Sequence, residues 1–357
     1  MRLIAAIKPF SLAVFTAACA VACQGIADIP GAERPAGQPS APSADCRTVV
    51  HSLGETEICG QPQRVVVLGP YLLEQVLALG AQPAGYGDHM VLHQGDYTDP
   101  ARQIPYLGDR VTTQPVNVGL AYQPSMEAIL GVQPDLILSP DYNAGQYATL
   151  SGIAPTLVFD MTGGQTHLQE IGQALNQGDR AQSLIAATEN RVKAAQAEFA
   201  AVVAEHPNVL MLTSGEGQTF NLISHSNSFC GALVNDLGFQ LIYPSGLQEA
   251  ELRTPAAVSL EALPELNGAD SIILLGFNWD SPMQSTAGAE FTNHQLNRLK
   301  QDWANNAIAQ SLNATQAGRV YFIPAYLCLG FPGPIGTELY LNELKTQLLA
   351  PSEPHNP

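Results

Sequence analysis

Along this chain, runs of four or five consecutive apolar residues alternate with longer stretches in which apolar positions recur every three or four residues. The runs predict buried parallel strands at 65–68, 136–139, 156–159, 209–213, 271–275 and 320–323. Helical stretches lie between them, which is the α/β pattern. One segment differs from the rest. From Asp179 to His206 there is neither glycine nor proline, Gly178 precedes it and Pro207 follows it. Leu184, Ala195, Phe199 and Val202, with Ile185 and Val192 alongside, fall near one helical face. Asp179 and Gln182 suggest a capping box at its start. Twenty-eight residues of helix extend about 42 Å, enough to run behind two lobes.

The pattern around this segment is duplicated. A short helix, a turn and a buried strand beginning at Ser125 recur, reworded, at Ser259. Each copy carries a glutamate near its helix start, Glu127 and Glu261, and an aspartate before its strand, Asp135 and Asp270. Upstream, Leu79-Gly80 is echoed by Leu237-Gly238. Two copies flanking a long helix predict two Rossmann-like lobes, 46–177 and 207–350, joined by a connecting helix at 178–206. A cleft between the lobes implies binding. Within α/β lobes the ligand side is the carboxyl end of the strands.

The N-terminus belongs to neither lobe. Arg2 and Lys8 precede an apolar run from Phe10 to Ala22 that is too short to span a bilayer, so residues 1–23 read as a secretory signal. Residues 20–23 also resemble the lipobox of bacterial lipoproteins, which would make Cys23 the lipidated first residue; residues 16–19 are a poorer copy ending at Cys19. Residues 24–45 carry Pro30, Pro35, Pro39 and Pro42 among small residues and predict a solvated tether reaching up to roughly 70 Å. Residues 351–357 form a tail.

Export changes the meaning of the cysteines. With Cys23 acylated, Cys46, Cys59, Cys230 and Cys328 remain, an even set in an oxidising compartment that allows three pairings. Cys46 and Cys59 flank a predicted β-hairpin turning near Leu53 and Gly54, where facing positions suit a disulfide. Cys230 with Cys328 follows by elimination.

Charge narrows the partners. Fifteen Lys and Arg against 32 Asp and Glu leave a net charge of −17. That disfavours nucleic acid and anionic lipid headgroups, and a strongly anionic ligand would need a local basic cluster. No nucleophile elbow, phosphate loop, dinucleotide fingerprint or His-Glu-x-x-His is present, and the glycine-rich 213–217 lacks a lysine, so the chain is not expected to be an enzyme. His89 and His93, with Asp88 or Asp96, are the one pattern that suggests a metal site. Gly87 and Gly95 make that segment a loop, and scattered surface histidines account for it better.

Taken in order, the strand at Arg64–Leu68, the two glutamate segments, Ile153–Thr156, the long mid-chain helix, Gly318–Tyr321 and Gly333–Ile335 resemble the substrate-binding proteins of ABC importers for ferric siderophores and cobalamin. The resemblance covers residues 46–350. It implies a class III periplasmic binding protein of the helical-backbone type, a monomer tethered by lipid to the membrane and delivering cargo to a transmembrane permease. Glu127 and Glu261 match the acidic residues by which each lobe docks onto permease arginines. Strand-end loops then supply Tyr71, Tyr142, His225, Arg253, Trp279 and Tyr326 as candidate ligand contacts, with Arg110 from the long first-lobe insertion. The cargo expected is a ferric siderophore of low net charge that fills its own metal's coordination sphere. The alternatives are cobalamin, haem or a bare metal ion on the same fold.

Overall fold

The computed structural model describes residues 45–161, 163–214, 219–247, 256–278 and 288–349. The predicted signal, the tail, Cys23 and all of the tether except Asp45 lie outside them, as do Arg253 and Trp279. Among the described residues no helix is long and apolar enough to cross a membrane.

The chain enters through a hairpin, β1 (Cys46–His51) and β2 (Gly54–Cys59), whose ends are joined by the Cys46–Cys59 disulfide. Arg47 fastens the hairpin to the first lobe. Its guanidinium donates to the carbonyls of Gln173, Ala174 and Gly60, and the first two close the C-terminus of the helix Gly164–Ala174.

The first lobe's sheet comprises β3 (Val65–Leu68), β4 (Pro83–Asp88), β5 (Val116–Leu120), β6 (Gln123–Pro124), β7 (Leu136–Pro140) and β8 (Thr156–Phe159) in the order β6-β5-β4-β3-β7-β8. The second comprises β9 (Asn208–Ser214), β10 (Thr219–Leu222), β11 (Gln240–Leu241), β12 (Ala257–Ser259), β13 (Ser271–Gly276) and β14 (Val320–Pro324) in the order β12-β10-β9-β13-β14, with β11 also on β9. Each sheet therefore holds the same parallel core, β4-β3-β7-β8 in one and β11-β9-β13-β14 in the other.

The duplication extends to single hydrogen bonds. Asp135, before β7, accepts the amides of Gln63 and Arg64 at 2.8 Å each and so pins the entry to β3. Asp270, before β13, accepts the amide of Asn208 at 2.9 Å and pins the entry to β9. The helices Pro70–Ala78 and Phe229–Asp236 both stop at a leucine followed by a left-handed glycine, Gly80 at φ 78° and Gly238 at φ 102°. One detail differs. Met126–Val132 is α-helical, with the Ser125 hydroxyl accepting from the Ala128 amide at 3.2 Å. Its counterpart Leu260–Leu266 is a 3₁₀ helix because Pro264 interrupts it.

The connecting helix runs Gly178–Glu205. It buries Ala181 in the first lobe's core and Ala195 and Phe199 in the second's. The expected capping box does not form: Gln177 precedes the first turn, no side chain caps it, and Asp179 already lies inside the helix.

The lobes are also joined through the last helix, Pro334–Leu348, which packs on both the connecting helix and Pro70–Ala78. Glu74, fully buried, presents Oε1 to the amides of Ile335 at 2.6 Å and Gly336 at 3.3 Å. It thus supplies a cap from the first lobe to a helix of the second. A Cβ at position 333 would sit 2.2 Å from Glu74 Oε2, so a larger residue there would force the buried carboxyl to move. Burial raises the Glu74 carboxyl from 4.5 to about 7 against the pull of those amides. A carboxyl raised on folding stabilises fully below its unfolded pKa and loses that contribution as pH climbs through its folded one. Stability is expected to fall by on the order of 3 kcal/mol between pH 4.5 and 7 from this group. Glu74→Gln keeps an acceptor but cannot ionise, and should flatten that part of the profile. Urea unfolding across this range checks it; equal slopes in the two proteins would assign the pH dependence elsewhere.

Candidate functional site

The carboxyl ends of the two sheets face each other, and the contact is made by residues that leave β4 and β14. Alternation along β4 puts Tyr86 and Asp88 on one face, and the Tyr86 hydroxyl donates to Asp88 Oδ2 at 3.0 Å. Asp88 is buried, and its Oδ1 takes the His89 amide at 2.7 Å and meets His89 Nδ1 at 2.7 Å. From the second lobe, the turn Ala325–Leu327 after β14 brings the Tyr326 hydroxyl to 3.4 Å from Asp88 Oδ1 and 3.2 Å from His89 Nδ1.

Aromatic rings surround this junction. Tyr326 lies 5.0 Å from His89, 5.3 Å from Phe291, 5.2 Å from Phe331 and 5.9 Å from Tyr106, centroid to centroid. Such tilted and edge-on pairs are the favourable arrangements. Tyr106 adds a second tie between lobes, its hydroxyl 3.0 Å from Thr292 Oγ1. Burial, and then the charge of Asp88, hold the Tyr86 and Tyr326 phenols far above the usual range, so both are neutral donors. Tyr122, Tyr142 and Met161 are about half exposed. Burial and the Asp88 charge also raise the Tyr142 phenol, which places it within the field of the same carboxylate.

Tyr326 and Tyr142 lie where the strand ends meet, but Tyr71 does not. Tyr71 is buried and donates to the Phe159 carbonyl at 2.9 Å, so it fills the core beneath the cleft rather than lining it. Arg110 is 3.8 Å from Glu338 Oε1, and Glu338 also takes Arg191 of the connecting helix at 3.1 Å. Arg110 and Arg191 thus share one carboxylate of the last helix. His225 is exposed and lies near Asp236, which lines a cavity of about 310 Å³. That cavity lies on the connecting helix, walled by Ile185, Thr188, Lys193, Phe229 and Pro334.

Sequence reasoning missed Tyr86, Tyr97, Tyr106, Phe291 and Phe331, and it treated Asp88 and His89 only as half of a metal pair. His93 belongs elsewhere: its Nε2 is 3.1 Å from the Asp96 carbonyl and 2.9 Å from Gln103 Nε2. Among the described residues, no three His, Cys, Asp or Glu side chains converge as a metal site.

Glu127 and Glu261 are both exposed in the first turn of their helices. The Ser125 amide is bonded to the Val118 carbonyl near the end of β5. Ser259 pairs with Thr219, next to the Phe220–Ser214 pairing at the end of β9. Glu127 thus follows a residue bonded near the end of β5, and Glu261 follows the strand paired beside the end of β9.

The geometry has known counterparts. The family model described as periplasmic binding protein matches residues 65–327. The probable siderophore-binding lipoprotein YfiY of Bacillus subtilis is 24% identical over 314 residues, covering 86% of this chain and 89% of that one. Staphylococcus aureus SirA, solved with staphyloferrin B, superposes with a TM-score of 0.66 at 21% identity, over 85% of this chain and 98% of that one. The siderophore-binding protein BauB, solved with ferric iron and two molecules of acinetobactin, superposes with a TM-score of 0.62 at 23% identity, over 85% and 99%.

Proposed function

Because the chain belongs to the periplasmic binding protein family, which is made up of binding proteins rather than enzymes, we propose that it carries a ferric siderophore between its lobes to the permease of an ABC importer. The observation that carries this reading is the junction of Asp88, His89 and Tyr326, where strand ends of both lobes meet inside a wall of aromatic rings. Aromatic faces with a few polar donors suit a broad, flat, amide-rich or aromatic chelate. The siderophore names of YfiY, SirA and BauB support the cargo class. The chain's acidity favours a hydroxamate or mixed chelate of low charge over a highly anionic catecholate.

The protein works as a monomer held to the membrane through an acylated Cys23, with Glu127 and Glu261 as the two docking charges. Membrane association that persists in Cys23→Ala would remove the anchor from this account.

Calorimetric titration against ferric hydroxamate, ferric catecholate, ferric citrate, haem and cobalamin tests the cargo. The expected result is tightest binding to a ferric chelate of low charge, with no turnover of the chelate. Tighter binding of haem or cobalamin would replace the siderophore reading with another cargo on the same fold.

A further inference from the structure

We infer that the permease holds each lobe by an apolar contact set beside the docking charge, Leu130 in the first lobe and Pro264 in the second. This rests on the docking role proposed for Glu127 and Glu261 and extends it. The partner surface would then carry an apolar pocket next to each basic group that meets a glutamate.

Charge alone does not tell a permease where to dock. The chain carries 32 Asp and Glu against 15 Lys and Arg, so a basic surface is attracted to much of the molecule. An exposed ion pair also adds little affinity by itself. A register is fixed by a side chain that fills one pocket and shuts water away from the charges beside it.

The repeat supplies such a side chain twice. Leu130 stands three residues after Glu127, and Pro264 three residues after Glu261. In the helix Met126–Val132 that spacing makes the two residues neighbours on the surface, about 5–6 Å apart at Cβ. In the 3₁₀ helix Leu260–Leu266 it sets them in line, one above the other. Leu130 is 56% exposed, and Pro264 is exposed as well. Neither is spent on packing. Ile129 and Leu263, one residue earlier in each copy, are the fully buried ones that tie these helices to the cores. A single exposed leucine is ordinary on a folded protein. Here an exposed apolar group follows an exposed carboxylate at the same step in both lobes, which one chance leucine does not produce. Leucine reaches further than proline, so the first lobe should carry the larger share of the contact.

The test measures uptake by cells carrying the full chain or its variants. The cargo is the tightest-binding member of the panel above, radiolabelled in its metal and supplied below half-saturation. Leu130→Ser should lower uptake at least fivefold, and Leu130→Ser with Pro264→Ser at least tenfold. Leu130→Met, which keeps an apolar side chain of similar size, should hold uptake within about twofold of the wild type. Purified Leu130→Ser should match the wild type in melting temperature and cargo affinity. Val50, 57% exposed on the hairpin strand β1, serves as the control: Val50→Ser should leave uptake unchanged. Full uptake by Leu130→Ser, where Glu127→Arg with Glu261→Arg fails, would show that charge alone docks the protein. That result overturns the inference and leaves the docking role intact. An equal loss in Val50→Ser would assign the effect to surface apolarity at large and overturn it too. Undiminished uptake by the double arginine variant would remove the docking role, and this inference with it.

Discussion

Replacing Cys230 and Cys328 together by serine is expected to cost about 4 kcal/mol of stability and to weaken cargo binding. The bond joins residues 98 positions apart, and closing a loop of about 100 residues restricts the unfolded chain by roughly 4.7 kcal/mol in the chain-entropy account. Both sulfurs are buried, so two polar hydroxyls would replace them in the second lobe's core. For a body of this size the melting temperature should drop by on the order of 10 °C. The binding effect has a local cause: Cys328 is two residues beyond Tyr326, and its bond to the helix Phe229–Asp236 holds that turn at the lobe junction. Serine at Cys46 and Cys59 opens a span of only 13 residues in an edge hairpin that Arg47 also fastens. That change should cost less and leave cargo affinity alone. Thermal melts and cargo titrations on both pairs decide it. If the two pairs lose equal stability, loop length is not what sets the effect here.

Reversing both proposed docking charges, Glu127→Arg with Glu261→Arg, should reduce uptake through the importer more than tenfold while leaving cargo affinity within about twofold. Both side chains are exposed in the first turns of their helices, so their reversal disturbs no packing. Two charges on separate lobes, placed against fixed arginines, define a spacing as well as an attraction, and like charges at a contact cost several kcal/mol. Either single reversal should give an intermediate loss. Uptake of radioactive iron by cells carrying each variant is the measurement. Undiminished uptake by the double variant would mean that the permease contacts other residues.

The duplicated plan was legible because its signals are local. Helix-ending Leu-Gly pairs, aspartates before strands and one helix without glycine or proline all survive as short patterns in the sequence. The same holds for the hairpin and its disulfide. Strand β4 was not legible. It reads Pro-Ala-Gly-Tyr-Gly-Asp, and its glycines are there for close packing: a Cβ on Gly85 would lie 3.1 Å from Val66, Val118 and Val132. No apolar run is left to announce it. That strand carries Tyr86 and Asp88, so half of the lobe junction was hidden with it. Position at a strand end gives a residue's level along the sheet but not its direction. Tyr71 lies in the first turn of the helix that follows β3, which turns its ring back into the core. Arg110 lies in the 88–115 insertion, whose path over the last helix no periodicity encodes.

The cap that Glu74 places on the last helix limits how the molecule can be divided. A cut within the connecting helix would expose a carboxylate shaped to meet Ile335 and Gly336 on one fragment and strand those amides on the other. Split reporters made by halving this chain between its repeats would therefore not yield two autonomous pieces. Sensors built from it should keep both termini in one polypeptide and take their inserted fluorophores in surface turns far from residue 333.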